Sequence, residues 1–298
     1  MKVRLLGIQP GTVTAGMSNE EYFQRQLTFA REKYDGEELV MFPELMTGIY
    51  FGYVREKRWF QYAEDFLTGP TTTAMLALCR ELNTNICYSL FEREGDSYYN
   101  TMGLVSPVRG VTGRYRKIHL PGGDLRYNEC YEKYYFSHGT QMPVCELDNG
   151  IKVGMMLCYD RSFPELWRSY YLRGAEIICV AACTMGLRKD MFVAELQTRA
   201  LESHSYVIAL NRAGEERTEN EEKPRVHFGK SMVIDPMGNI TAALEDEPWA
   251  VISAEIDTEQ IRYARARLNW ERDRHPELYG IVSDIHYGKE GLIYERGF

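Results

Sequence analysis

Two kinds of hydrophobic pattern alternate along the chain. Residues 3–9 form a mostly apolar run broken at Pro10-Gly11, which predicts a strand ending in a turn. Ser18 followed by Glu21 is a capping box. Phe23, Leu27, Ala30 and Tyr34 then recur on one helical face until Gly36 stops it. Residues 39–42 are a short apolar run of the buried-strand type, ending at Pro43-Glu44. A second helix is predicted over 71–82, with Met75, Leu78 and Leu82 inward. Two β runs follow, 86–92 and 98–105, joined through Glu94-Gly95-Asp96, which is hairpin chemistry.

The second half repeats this logic. Residues 152–157 read as a strand ending at Cys158, 163–173 as a helix closed by Gly174, and 176–181 as another buried strand. A helix over 192–204 and a strand over 206–210 come next. Residues 231–234 and 240–244 flank Asp235-Pro236-Met237-Gly238 as a hairpin, and Asp257 with Gln260 reads as a second capping box before a helix over 261–267. Strands alternating with helices, with hairpins added, predict an α/β fold with two sheets and helices outside. No linker, low-complexity tract or fixed-period repeat interrupts residues 1–298, so they are read as one domain. The charge-rich stretch 215–225 is expected to be a solvated loop. From about residue 270 to 298 the chain is apolar in pieces, such as Leu292-Ile293-Tyr294, without a period. That tail is expected to pack on a partner subunit, making a homodimer or larger homo-oligomer.

Composition narrows the partners. With 44% hydrophobic and 26% charged residues, the chain is neither disordered nor fibrous. Its 43 acids against 35 bases argue against nucleic acid or an anionic membrane as partner, because both need a basic face. No window approaches 18 consecutive apolar residues and no signal-peptide core is seen, so a cytoplasmic location is expected. Seven scattered cysteines without a CxxC pair read as reduced thiols, most of them small buried hydrophobes. The six histidines lack zinc-ligand spacing, so no structural metal is expected.

Three segments put a reactive side chain just after a buried run, where ligands sit in open α/β sheets. In Met41-Phe42-Pro43-Glu44-Leu45, Pro43 takes the chain out of the sheet and leaves Glu44 beside apolar neighbours. Such a carboxylate has a raised pKa suited to a general base; the competing reading is an exposed loop acid. In Gly113-Arg114-Tyr115-Arg116-Lys117-Ile118-His119-Leu120-Pro121, Lys117 reads as a Schiff-base amine, a charge clamp or a solvated base. Three bases in four residues favour the last. Leu157-Cys158-Tyr159-Asp160-Arg161-Ser162-Phe163-Pro164 has a nucleophile-elbow layout, with a thiol near a helix N-terminus that lowers its pKa and a backbone N–H that could bind an oxyanion. The competing reading is an inert strand-end cysteine. No histidine stands out as a partner for that thiol: His204 reads as a satisfied core residue and His119 as support for the turn after Lys117.

Taken together, these segments resemble the carbon–nitrogen hydrolase (nitrilase) superfamily. Phe42-Pro43-Glu44, Arg116-Lys117-Ile118-His119-Leu120-Pro121 and Cys158-Tyr159-Asp160 with Phe163-Pro164-Glu165 stand in that family's order, at spacings of 73 and 41 residues. Gly174-Ala175-Glu176-Ile177-Ile178, Asn211-Arg212-Ala213-Gly214, Phe228-Gly229-Lys230-Ser231 and Asp235-Pro236-Met237-Gly238 agree, so the likeness covers roughly residues 3 to 260. The resemblance implies a four-layer αββα sandwich and a Glu44-Lys117-Cys158 triad. Cys158 would attack a carbonyl or nitrile carbon, and Glu44 would take the thiol proton. Lys117, beside the backbone N–H of Tyr159, would stabilise the oxyanion. Neither a metal nor an organic cofactor is implied. Glu132, in Tyr131-Glu132-Lys133-Tyr134-Tyr135-Phe136, matches a second glutamate near the triad. Within the family the chain looks most like N-carbamoyl amino-acid amidohydrolases and β-ureidopropionase-like enzymes. Arg161 matches the first of two arginines that grip a substrate carboxylate there, while Ser162 replaces the second. The function implied is hydrolysis of a small ureido compound to amine, carbon dioxide and ammonia. The alternatives are a carboxamide, an ω-amide among them, a nitrile, or a nonenzymatic binding protein on the same fold.

Overall fold

The computed structural model describes residues 1–122, 130–219 and 224–284. In chain order the strands of the first half are β1 (Lys2–Gln9), β2 (Leu39–Met41), β3 (Asn85–Glu94), β4 (Ser97–Ser106) and β5 (Gly110–Arg116), with helices α1 (Asn19–Lys33) and α2 (Pro70–Leu82). A short helix, α3 (Glu132–Tyr135), precedes β6 (Val144–Glu146), β7 (Lys152–Leu157), α4 (Pro164–Leu172), β8 (Ile177–Ala181), α5 (Lys189–Ser203) and β9 (Tyr206–Leu210). The last elements used below are β10 (Ala213–Glu216), β11 (Arg225–Phe228), β12 (Met232–Ile234), β13 (Ile240–Ala243), β14 (Ala250–Asp257) and α6 (Thr258–Arg267).

Two six-stranded sheets result, ordered β14-β1-β2-β3-β4-β5 and β13-β12-β9-β8-β7-β6. Each has three parallel strands at its centre, β1-β2-β3 and β7-β8-β9, flanked by antiparallel ones. Parallel strands covered on both faces must be apolar throughout, and β2, β8 and β9 are buried at every position. The sheets pack face to face through Leu5, Leu39, Cys87, Met102, Met155, Cys179 and Ile208. Helices α1 and α2 cover the first sheet with Phe23, Leu27, Ala30, Met75 and Leu78, and α4 and α5 cover the second with Trp167, Tyr170, Phe192 and Leu196. The architecture is thus an αββα sandwich, as the sequence implied.

Local signals held where the chemistry is local. The Ser18–Glu21 capping box forms, with Glu21 N–H donating to Ser18 Oγ at 3.1 Å. Both hairpins form, Glu94 pairing with Ser97 and β12 with β13. At α6, Asp257 accepts from Glu259 N–H at 3.0 Å, but Gln260 does not close a box. Its Oε1 accepts from Tyr206 OH at 2.7 Å instead, a tertiary bond outcompeting a local one. The stretch 215–225 is not simply a solvated loop: β10 and β11 pair across it, and Glu216 is buried. His204 is in the core, as expected, but neither ring nitrogen has a hydrogen-bond partner among the described residues. Burial and the nearby Arg265 and Arg168 push its pKa down to about 4, so it sits neutral between Tyr171 and Trp270. Leu292-Ile293-Tyr294 and the rest of residues 285–298 of the expected docking tail lie outside the described residues. Among the described residues no helix is long and apolar enough to cross a membrane.

Candidate active site

The carboxyl ends of strands from both sheets converge on one place. Glu44 follows β2, Lys117 follows β5 and Cys158 follows β7, with Glu132 at the start of α3. Glu44, Lys117 and Glu132 are fully buried, which overturns the exposed-acid and solvated-base readings of the first two. Strand alternation explains Lys117. In β5, Tyr115 points into the core while Arg114 and Arg116 lie on the other face, where Glu92 pairs with both; Lys117 continues the inward set.

Lys117 Nζ lies 2.8 Å from Glu44 Oε1 and 2.8 Å from Glu132 Oε1. Two neutral donors complete this cluster. Asn100 Nδ2 donates to Glu44 Oε1 at 2.7 Å, and Tyr50 OH donates to Glu132 Oε1 at 2.6 Å. Each carboxylate therefore keeps one buried oxygen, Glu44 Oε2 and Glu132 Oε2, with no partner among the described residues. Burial pushes the Glu132 carboxyl up to about 7 even though Lys117 pulls it down. For Lys117, burial opposes the charge, yet Glu132 and Glu44 hold its pKa well above the ordinary lysine range. An ammonium between two carboxylates fits both shifts.

Cys158 is half-buried at the first position of a 3₁₀ turn over Cys158–Ser162, with φ 45°, a left-handed conformation unusual for a residue with a Cβ. This is the sharp strand-to-turn exit that the sequence suggested. The expected lowering of the thiol pKa is not found. Burial, and then the Glu44 carboxylate, raise it, against the pull of Lys117 and Arg161. Regular helix begins only at Pro164, six residues on, too far for its N-terminus to offset desolvation. The other six cysteines are buried.

Around the thiol, Thr184 Oγ1 lies 3.1 Å from Cys158 Sγ. Arg161 is buried: its Nη1 donates to Cys158 O at 2.8 Å and lies 3.7 Å from Sγ, and its Nε is 3.0 Å from Glu195 Oε2. Tyr159 is half-buried, its ring edge-on to Phe163. His119 supports its turn, as expected, stacking on Phe163 at 3.6 Å between ring centroids. Asn100 and Thr184 were not singled out as site residues in the sequence. The signal was there: each is a polar residue at or beside an apolar run that buries it. Among the described residues no group of three His, Cys, Asp or Glu side chains could hold a metal ion.

Comparison with known proteins identifies the family. The carbon-nitrogen hydrolase family model matches residues 2–266. The chain is 29% identical to an N-carbamoylputrescine amidase of Arabidopsis thaliana over 83% of its length and 84% of that protein. It is 29% identical to a citrullinase of Francisella tularensis over 83% and 87%. Its fold matches the crystal structure of a carbon-nitrogen hydrolase from Helicobacter pylori with a TM-score of 0.85 at 24% identity, covering 94% of this chain and 98% of that one. The chain belongs to the carbon–nitrogen hydrolase family.

Proposed function

We propose that this protein hydrolyses the carbamoyl group of a small ureido compound through a covalent Cys158 intermediate. The observation that carries this reading is the pair of orphaned carboxylate oxygens, Glu44 Oε2 and Glu132 Oε2, flanking the Lys117 ammonium. A buried acceptor without a donor is costly, so the bound substrate is expected to supply donors. A terminal –NH2 of a carbamoyl or carboxamide group brings two N–H bonds for two oxygens; a nitrile nitrogen brings none. The names of the relatives, N-carbamoylputrescine amidase and citrullinase, favour the ureido group over the carboxamide, which stays the second reading.

The chemistry follows from the charges. Because burial keeps the resting thiol protonated, attack needs a base, and Glu44 takes the Sγ proton as sulfur bonds to the carbonyl carbon. The carbonyl π pair moves to oxygen, where the Lys117 ammonium and the backbone N–H of Tyr159 receive the oxyanion. Collapse expels amine or ammonia, which leaves with the proton held by Glu44. Water, deprotonated by the same carboxylate, then cleaves the thioester or carbamoyl-enzyme and releases the thiol. Glu132 orients Lys117 and the substrate –NH2.

The test is product analysis on N-carbamoyl amino acids, N-carbamoyl amines, carboxamides and nitriles, counting ammonia and carbon dioxide separately, with Cys158→Ala as the blank. Equal ammonia and carbon dioxide from a carbamoyl substrate supports the reading. Ammonia alone moves the protein to the amidase or nitrilase reading, and turnover undiminished in Cys158→Ala sinks the nucleophile.

A further inference from the structure

The two sheets supply opposite halves of the site. Glu44 leaves β2 of the first sheet and Cys158 leaves β7 of the second, so hydrogen bonding within either sheet does not fix the distance between base and thiol. One dipeptide at the carboxyl end of β9 reaches both halves. The Asn211 side chain pairs with the Thr184 backbone in both directions: Oδ1 accepts from Thr184 N–H at 2.8 Å and Nδ2 donates to Thr184 O at 2.9 Å. The same Nδ2 donates to Gly229 O at 3.0 Å. Thr184, so fixed, holds its hydroxyl against the Cys158 thiol. Only an amide can serve as donor and acceptor at once in this way.

The next residue, Arg212, is fully buried and turns toward the other sheet. Its Nη2 donates to Glu44 O at 3.1 Å and to Leu45 O at 2.5 Å, and its Nη1 to Gly48 O at 2.7 Å. Leu45 has φ 45°, a strained conformation that persists only where its surroundings hold it. Glu216, 3.2 Å from Arg212 Nη1, supplies the counter-charge. Burial opposes that charge, but Arg212 and His227 keep the carboxyl down at about 2.

We propose that Asn211 and Arg212 are positioning residues that together set the separation of the Glu44 carboxylate and the Cys158 thiol across the sheet interface. The proposal rests on Glu44 as base and Cys158 as nucleophile. A displacement of about 1 Å at a reacting group costs on the order of 10²-fold in rate. Arg212→Lys keeps the charge beside Glu216 but loses the fork that reaches three carbonyls. Asn211→Ala frees Thr184, and Thr184→Val removes the hydroxyl through which Asn211 acts.

The experiment measures kcat and KM on the best substrate of the panel above, the pH profile of Cys158 alkylation by iodoacetamide, and the thermal midpoint of each variant. Folded Arg212→Lys and Asn211→Ala are expected to lose roughly 10–10²-fold in kcat with KM within about threefold of the parent. Thr184→Val is expected to displace the alkylation profile and Thr184→Ser to restore it. Parental kcat and profile in the folded variants overturn the proposal. Should Asn211→Ala or Arg212→Lys fail to fold, an unchanged profile in Thr184→Val overturns it alone. Cys158→Ala separates the two layers: if it still turns over, the nucleophile reading fails; if it is dead while the others are unaffected, only the positioning proposal falls.

Discussion

Asp160 Oδ1 lies 2.9 Å from the backbone nitrogen of His119 and 2.8 Å from its ring Nδ1. One carboxylate oxygen thereby ties the turn after Lys117 to the turn after Cys158, joining the two sheets beside the site. Its partner oxygen accepts from Tyr115 OH at 2.6 Å and from Leu157 N–H at 3.1 Å, so the buried carboxylate satisfies groups on three elements.

Replacing this acceptor is expected to loosen both turns together. Asp160→Asn turns one oxygen into an –NH2 facing donors, leaving at least one buried donor unpaired at about 1–3 kcal/mol each. A loss of about 2–5 kcal/mol in urea unfolding is expected, with a fall in kcat. A loss below about 1 kcal/mol would show that the sheets hold these turns without Asp160.

At Cys158 the backbone makes its own prediction. With φ at 45°, any residue bearing a Cβ is strained there by roughly 1–3 kcal/mol, whereas glycine is not. Cys158→Gly is therefore expected to be more stable than Cys158→Ala by about 1 kcal/mol, the reverse of the usual order, with both inactive. Denaturant midpoints of the two proteins decide it. A more stable alanine variant would mean that the turn relaxes once the thiol is gone.

Glu132 gives a pH signature. Its carboxyl titrates at about 7 in the fold, pushed up by burial, against 4.5 for an ordinary glutamate. Between those values the native state holds a proton that the unfolded chain has released. This group's contribution is thus most favourable below about pH 4.5 and is lost as pH rises to about 7. Lys117, raised above its ordinary value, stays charged throughout that window. Glu132→Gln removes the slope, so the stability difference, parent minus variant, is expected to fall between pH 5 and pH 8. Thermal midpoints at the two pH values measure it, and a difference that grows with pH would reverse the sign of the shift.

What was legible in the sequence follows from the range of each interaction. The α1 cap, both hairpins and the parallel strands announce themselves because a turn, a cap or a fully apolar run depends on a few adjacent residues. Strand β14 went unread. It pairs with β1 across some 250 residues, and its burial alternates only from Ile252 on, Ala250 and Val251 both being half-buried. Lys117 was hidden by Arg114 and Arg116, whose charges look like a solvated face until the strand period assigns them to the other side. Glu44 and Cys158 were legible as strand-end residues. The partners that define their chemistry, Asn100, Thr184 and Arg212, come from distant strands, and only folding brings them within hydrogen-bond reach.

Arg161 decides how far the likeness to carboxylate-binding relatives extends. In the fold its guanidinium donates to the Cys158 carbonyl, pairs by charge with Glu195 and lies 5.1 Å from the face of Phe192, while its own carbonyl accepts from Trp167 Nε1 at 2.8 Å. A cation so enclosed braces the turn that carries the thiol, and its loss should be felt by every substrate alike. Arg161→Ala is expected to lower kcat/KM on N-carbamoyl amino acids and on N-carbamoyl amines by the same factor within about threefold, on the order of 10²-fold for a displaced nucleophile. A loss at least about tenfold greater for the carboxylate-bearing substrates would instead mean that the guanidinium leaves Glu195 to grip the substrate, since a buried bidentate pair is worth that much discrimination.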